Sequence, residues 1–114
     1  MLPKENRLTR KKDFSLVFKY GARLKSGYLE VRIVENKISI LRIGFIVSKT
    51  SFKAAVERNR VKRQLRNALR LKLPTLKNGY DLVVIARAEI KKKSFAQISQ
   101  EMDKLLAKIT TVSK

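Results

Sequence analysis

Apolar residues recur along this chain with two different periods, and the change from one to the other marks its elements. Between residues 9 and 20, Phe14, Val17 and Phe18 stand at i, i+3 and i+4, the spacing of one helix face. Thr9 is a candidate N-cap and Gly21 follows the last periodic residue, so a short amphipathic helix is predicted over 9–20. From Tyr28 to Glu35 the run YLEVRIVE is rich in branched residues with alternating polar positions, and from Ile38 to Val47 the run is ISILRIGFIV. Both predict strands, with Glu35, Asn36 and Lys37 as the hairpin turn between them. A third strand is predicted over 81–88, DLVVIARA, after the turn signal Asn78-Gly79. Its unbroken apolar run implies burial on both faces.

Two further stretches return to the helical period. Ser94 followed by Gln97 forms a capping box, and Ile98, Met102, Leu105, Leu106 and Ile109 continue from it as one apolar stripe. Across residues 53–73, KAAVERNRVKRQLRNALRLKL, the residues Val61, Leu65, Ala68 and Leu69 form a buried stripe, while Arg58, Lys62, Arg66 and Arg70 recur every four residues on another face. Arg60, Arg63 and Lys72 broaden that face, giving seven basic residues and no acid between 58 and 72. Like charges at this spacing destabilise an isolated helix by about 0.2–0.5 kcal/mol per pair. An ordinary solvated helix mixes Glu with Lys. The unmixed sign and the Arg majority instead favour a phosphate-facing helix, because a guanidinium fork binds phosphate oxygens through two hydrogen bonds and stacks on bases. No repeat or linker interrupts the chain, and residues 1–6 and 110–114 are expected to fray.

Composition extends this picture to the whole molecule. The 114 residues contain 28 Lys plus Arg against nine Asp plus Glu, a net charge of +19, with 44% hydrophobic residues. That length and apolar fraction predict one folded domain rather than a basic tail, and the charge calls for a polyanion, with nucleic acid first. There is no Cys and no His, so thiolate metal sites, disulfides and the usual acid–base group near neutrality are excluded. The nine carboxylates are scattered, which makes self-contained catalysis improbable. No signal peptide or membrane-length apolar run is present, so a cytoplasmic protein is expected.

The basic helix also carries a resemblance. Arg58-Asn59-Arg60 followed by Lys62-Arg63 and Arg66 resembles the RNR signature of the bacterial ribonuclease P protein subunit. Arg7-Leu8, Asp13-Phe14 and Val17-Phe18 are similar to that family's opening pattern, as is Gly44 with Val47-Ser48-Lys49, and DLVVIAR (81–87) resembles its final strand. The resemblance covers about residues 7–88 with the motifs in the family's order. It implies an α+β fold, a single-domain α/β sandwich of order αββαβα over residues 1–114, with a left-handed crossover around the basic helix. The handedness comes from the family alone, since right-handed crossovers are the general rule.

The implied function is the protein part of a ribonucleoprotein endonuclease that removes the 5′ leader of precursor tRNA. In that enzyme a catalytic RNA subunit carries the active site and holds Mg²⁺, so the protein alone, expected to be a monomer, should be inactive and hold no metal. The resemblance assigns Arg58, Asn59, Arg60, Lys62, Arg63, Arg66 and the adjoining Arg70 to the catalytic RNA, with Asn59 reading a base edge or bonding locally. It assigns Phe14, Phe18, Ser48, Lys49 and Arg87 to a cleft for the precursor tRNA leader. Aromatic faces there can stack on any base, although i, i+4 phenylalanines are also common in cores. Three positions depart from the family pattern: Arg32, where relatives often place a strand aromatic, with Tyr28 as a possible substitute, Thr50 and Ala88. Lys91, Lys92 and Lys93 form a separate cluster that meets phosphate or is a solvated loop. The alternatives are a ribosomal or other structural RNA-binding protein and, outside RNA, a basic membrane-surface or DNA-coating protein. The membrane reading is disfavoured, because no Trp or Phe stands beside the apolar stripe of the basic helix.

Overall fold

Three helices and four strands follow one another as α1 (Lys11–Tyr20), β1 (Ala22–Ser26), β2 (Leu29–Glu35), β3 (Arg42–Val47), α2 (Ala55–Arg70), β4 (Tyr80–Ala86) and α3 (Phe95–Val112). The computed structural model describes residues 4–73, 76 and 78–112. This is the expected α+β architecture with one strand added. The stretch ARLKS carries only Ala22 and Leu24 as apolar residues, and it becomes β1 because Gly27 turns the chain back along it. At φ +49 Gly27 adopts the left-handed backbone that suits a two-residue hairpin loop, and Ser26 pairs with Leu29 across it.

The larger correction concerns strand partners. β2 and β3 do not form a hairpin: the sheet order is β1-β2-β4-β3, with β4 antiparallel to β2 and parallel to β3. Residues 38–40, expected to begin a strand, instead continue the bend from Lys37, with Ser39 at φ 59. The Asn36 side chain holds that bend, donating to Ile40 O at 2.8 Å and accepting from the Ile38 N–H at 3.2 Å. β4 takes the position between β2 and β3 because it is apolar on both sides, as its sequence predicts. Its Leu82 and Val84 enter the larger core, and its Val83 and Ile85 the smaller one. A parallel β3–β4 pair needs a long crossover, and α2 lies within it.

The two cores occupy opposite faces of the sheet. On one, Val61, Leu65, Ala68 and Leu69 of α2 and the predicted stripe of α3 are buried against β2, β3 and β4. The capping box is formed as expected: the Gln97 N–H donates to Ser94 Oγ at 3.2 Å, and the Ser94 N–H donates to Gln97 Oε1 at 2.9 Å. On the other face lies α1, with Val17 fully buried beside Leu8 and Val83. Its cap is Arg10 rather than Thr9 and has no side-chain bond. Gly21 ends the helix with an extended φ of −77, its N–H donating to Val17 O. Of the ends expected to fray, Lys4–Asn6 form a 3-10 turn from which Asn6 Nδ2 donates to Leu41 O at 2.6 Å, and α3 extends to Val112. Residues 1–3 and 113–114 of that expectation lie outside the described residues.

Gly44 sets how closely α1 approaches the sheet. A Cβ there would lie 2.4 Å from Phe14 Cζ and 3.2 Å from Leu8 Cβ, so the Phe14 ring rests directly on the strand backbone. Gly44→Ala is expected to cost about 1–3 kcal/mol by overpacking, read as a lower midpoint in thermal unfolding. The near-ultraviolet circular dichroism of the aromatic residues should collapse at the same lower midpoint.

Candidate nucleic-acid interface

The outward face of α2 is built by its own periodicity. With Val61, Leu65, Ala68 and Leu69 turned to the core, the intervening basic residues must face outward. Among the described residues, the side chains of Arg60, Lys62, Arg63, Arg66 and Arg70 make neither a hydrogen bond nor an ion pair. Their full donor capacity is therefore available to an anion. Arg58 differs from them: its Nη1 donates to Phe52 O at 2.7 Å and Lys53 O at 3.0 Å, so this arginine also ties down the segment before the helix. Asn59 is exposed and makes no side-chain hydrogen bond among the described residues.

Of the other predicted residues, Phe14 and Phe18 stand on α1, over the opposite face of the sheet. Because β3 and β4 run parallel and Val47 pairs with Ala86, Ser48 and Lys49 emerge at the same sheet end as Arg87. A β2–β3 hairpin would not have produced that meeting. Lys49 is exposed. The Ser48 hydroxyl oxygen accepts from the Thr50 and Ser51 N–H groups at 3.0 and 3.3 Å, so its first duty is to shape the turn. On α1, Phe18 is 37% exposed while Phe14 is half-buried over Gly44. The two phenylalanines thus divide the alternatives, Phe14 toward the core and Phe18 toward solvent.

Arg32 occupies the surface beside Phe18, with its guanidinium carbon 4.8 Å from the ring centroid and Nη1 3.4 Å from Phe18 O. Tyr28 does not substitute for an aromatic there. It is buried on the α3 side and donates its hydroxyl to Gln97 O at 3.0 Å. Burial, with Glu101 nearby, pushes its phenol up from the usual value. Next to Arg32, the Glu30 carboxylate is 3% exposed and meets Arg23 at 3.0 Å, Arg32 at 2.9 Å and Arg87 at 2.5 Å. Burial alone would raise this carboxyl, but hydrogen bonds from Arg32 and Arg23 and their charges hold it below the ordinary carboxylate range. The sequence reading missed Glu30 and Arg23. The available signal was their register on adjacent strands, where Lys25 faces Glu30 and Arg23 faces Arg32, and that register needs β1 to be recognised first.

A cavity of about 290 Å³ opens at the outer edge of β3 between the two faces, lined by Arg7, Leu8, Phe14, Phe45, Lys62 and Arg66 among others. The basic helix and the aromatic side of the sheet therefore share a border. Lys91, part of the separate basic cluster, belongs to a 3-10 turn (Ala88–Lys92) and meets Glu57 at 3.5 Å and the Phe52 ring at 5.0 Å, while Lys93 stands over Tyr28. Among the described residues no group of three or more acidic, His or Cys side chains could hold a metal ion. The buried carboxylates are engaged by cations, as with Asp81, which receives Arg42 at 2.8 and 2.7 Å.

The ribonuclease P family model matches residues 2–110. The chain is 39% identical over 109 residues to the ribonuclease P protein component of a Pseudanabaena species, covering 95% of this chain and 94% of that one. It is 40% identical to that of Dehalococcoides mccartyi, covering 96% and 88%. Among solved structures, a Staphylococcus aureus RNase P protein mutant with defective mRNA degradation activity superposes with TM-score 0.86 at 29% identity, over 94% of this chain and 90% of that one. The RNase P protein of Thermotoga maritima gives 0.81 at 30% identity, over 90% and 96%. With seven basic residues and no acid between positions 58 and 72, in a fold shared along nearly its whole length with those proteins, this chain belongs to the ribonuclease P protein family.

Proposed function

We infer that this chain is the protein subunit of a ribonuclease P and binds two RNAs on two surfaces. The α2 face, through Arg60, Lys62, Arg63, Arg66 and Arg70 with Arg58 and Asn59 beside them, takes the catalytic RNA. The face of the sheet under α1, with Phe14, Phe18, Ser48, Lys49 and Arg87, takes the single-stranded 5′ leader of precursor tRNA. The observation that carries this reading is the set of five α2 cations with no protein partner among the described residues, in a member of this family. Surplus guanidinium and ammonium donors are matched by phosphates, each neutralised phosphate releasing counterions. Phe18 is exposed enough to stack on a base of any kind. The Mg²⁺ that hydrolysis of a phosphodiester requires would be held by the RNA subunit, and the buried carboxylates of this chain, Glu30 and Asp81, are taken up by arginines. The protein thus acts by binding, in the cytoplasm, as one RNA-binding domain.

Reconstitution tests the reading. The protein alone should not cleave precursor tRNA, and added to a bacterial ribonuclease P RNA at low Mg²⁺ it should raise cleavage at the mature 5′ end. Failure to bind that RNA, or binding without gain in turnover, would reject the assignment. Co-sedimentation with a ribosomal subunit and no effect on tRNA maturation would support a ribosomal role in its place.

A further inference from the structure

Among the described residues, Glu30 is the one carboxylate that meets three arginines, and the arrangement leaves a local surplus of charge. A staple between strands needs one cation per carboxylate, and additional guanidinium groups repel one another. Each guanidinium carries five N–H donors. Arg23 directs Nε and Nη2 to Glu30, Arg32 directs Nε to Glu30 and Nη1 to Phe18 O, and Arg87 directs Nη2 to Glu30 while its buried Nε has no partner. The side chains of Arg23, Arg32 and Arg87 remain 48%, 23% and 38% exposed above a carboxylate that is almost wholly covered. The anion is inside and the cations are at the surface. Arg32 lies in addition against the half-exposed Phe18 ring, so its plane is fixed from below by Glu30 and from the side by an aromatic.

We propose that Glu30 is a positioning residue that fixes Arg23, Arg32 and Arg87 as a phosphodiester-binding array, and that Arg32 on Phe18 is its contact to single-stranded RNA. The array rests on the leader reading given above and adds three residues to it, Glu30, Arg23 and Arg32. It also gives Arg32 a defined task at the position where the family pattern is broken. Two functions follow from one buried carboxylate. It keeps long, entropically free side chains in one orientation, so less freedom is lost when the strand binds. It also cancels part of their mutual repulsion, so the cations can stand close enough to serve adjacent phosphates.

The test uses the holoenzyme and the difference in affinity between precursor tRNA and leaderless mature tRNA, so that binding through the catalytic RNA cancels. Glu30→Gln raises the net charge by one. If charge alone matters, the leader contribution rises or stays the same, whereas an array that depends on positioning weakens it about tenfold. Unchanged or increased leader affinity in Glu30→Gln therefore overturns the proposal, even if the variant melts at lower temperature, because a purely structural staple predicts that pattern. Arg32→Gln, at a partly exposed position, covers the case in which Glu30→Gln does not fold. It should reduce the leader contribution and lower the salt slope of leader binding by about 0.7, the value for one phosphate fewer neutralised on a single strand. An Arg32→Gln holoenzyme with wild-type slope and leader affinity overturns the proposal independently. A wild-type holoenzyme that binds precursor and mature tRNA equally rejects the leader reading itself and the array with it.

Discussion

Changing Arg60, Lys62, Arg63 and Arg66 together to Ala is expected to weaken binding of the catalytic RNA by about a hundred- to a thousandfold at physiological salt, from about 1 kcal/mol per exposed phosphate contact. The slope of log affinity against log salt should fall by about three units, at about 0.7–0.9 per contact. The stability of the protein alone should change little or rise. None of these side chains has a partner among the described residues, and removing like charges at i, i+4 relieves repulsion along α2. Arg58 is left in place because its two bonds to backbone carbonyls would mix a folding defect into the result. Filter binding or fluorescence anisotropy across a salt series reads both quantities. A quadruple variant with wild-type slope would move the catalytic RNA to another face.

Asp81→Ala should have the largest effect on stability. Asp81 is 4% exposed, and its carboxylate receives Arg42 Nε at 2.8 Å, Arg42 Nη2 at 2.7 Å and Asn36 Nδ2 at 2.8 Å. Its removal leaves Arg42 with Asp13 alone at 3.2 Å and loosens the Asn36 amide that holds the bend before β3. Breaking a buried pair on one side costs about 3–5 kcal/mol. Partial exposure of Arg42 lets water recover some of this, so about 2–4 kcal/mol is expected, or a midpoint lower by roughly 10 °C or more in a domain of this size. The double variant Asp81→Leu with Arg42→Met should regain part of the loss, because the buried pair is then removed from both sides, although Asp13 gives up its contact with Arg42. Chemical denaturation of the two single variants and the double variant gives the coupling directly. Equal losses in all three would show that packing rather than the ion pair is at stake.

The elements that carry the charge were legible from one-dimensional spacing. A helix with a buried stripe at Val61, Leu65, Ala68 and Leu69 has no choice about where its arginines point, and α3 could be placed from its capping box and stripe for the same reason. β4 was legible as a strand covered on both sides, because a continuous apolar run leaves no polar face to expose. The strand β1 was not legible. Its identity depends on pairing with β2 across the Gly27 turn rather than on its own residues. The β2–β3 hairpin was wrong for a related reason: adjacency in sequence is only a preference, and β4, apolar on both sides, took the place between them.

For the candidate site the division is similar. Sequence by itself determined the net charge, the absence of His and Cys, the acid-free face of α2, and the ordered motifs that point to the ribonuclease P family, all of which follow from residue identity and local period. Only the tertiary structure decided which residues meet. Parallel pairing of β3 with β4 brought Ser48 and Lys49 to the same end of the sheet as Arg87, and contact with Gly44 pressed Phe14 onto the sheet while Phe18 stayed open. The gathering of Arg23, Arg32 and Arg87 on Glu30 joins three separate stretches of sequence. A periodicity reports which side of its own element a residue occupies, and strand order decides what stands opposite.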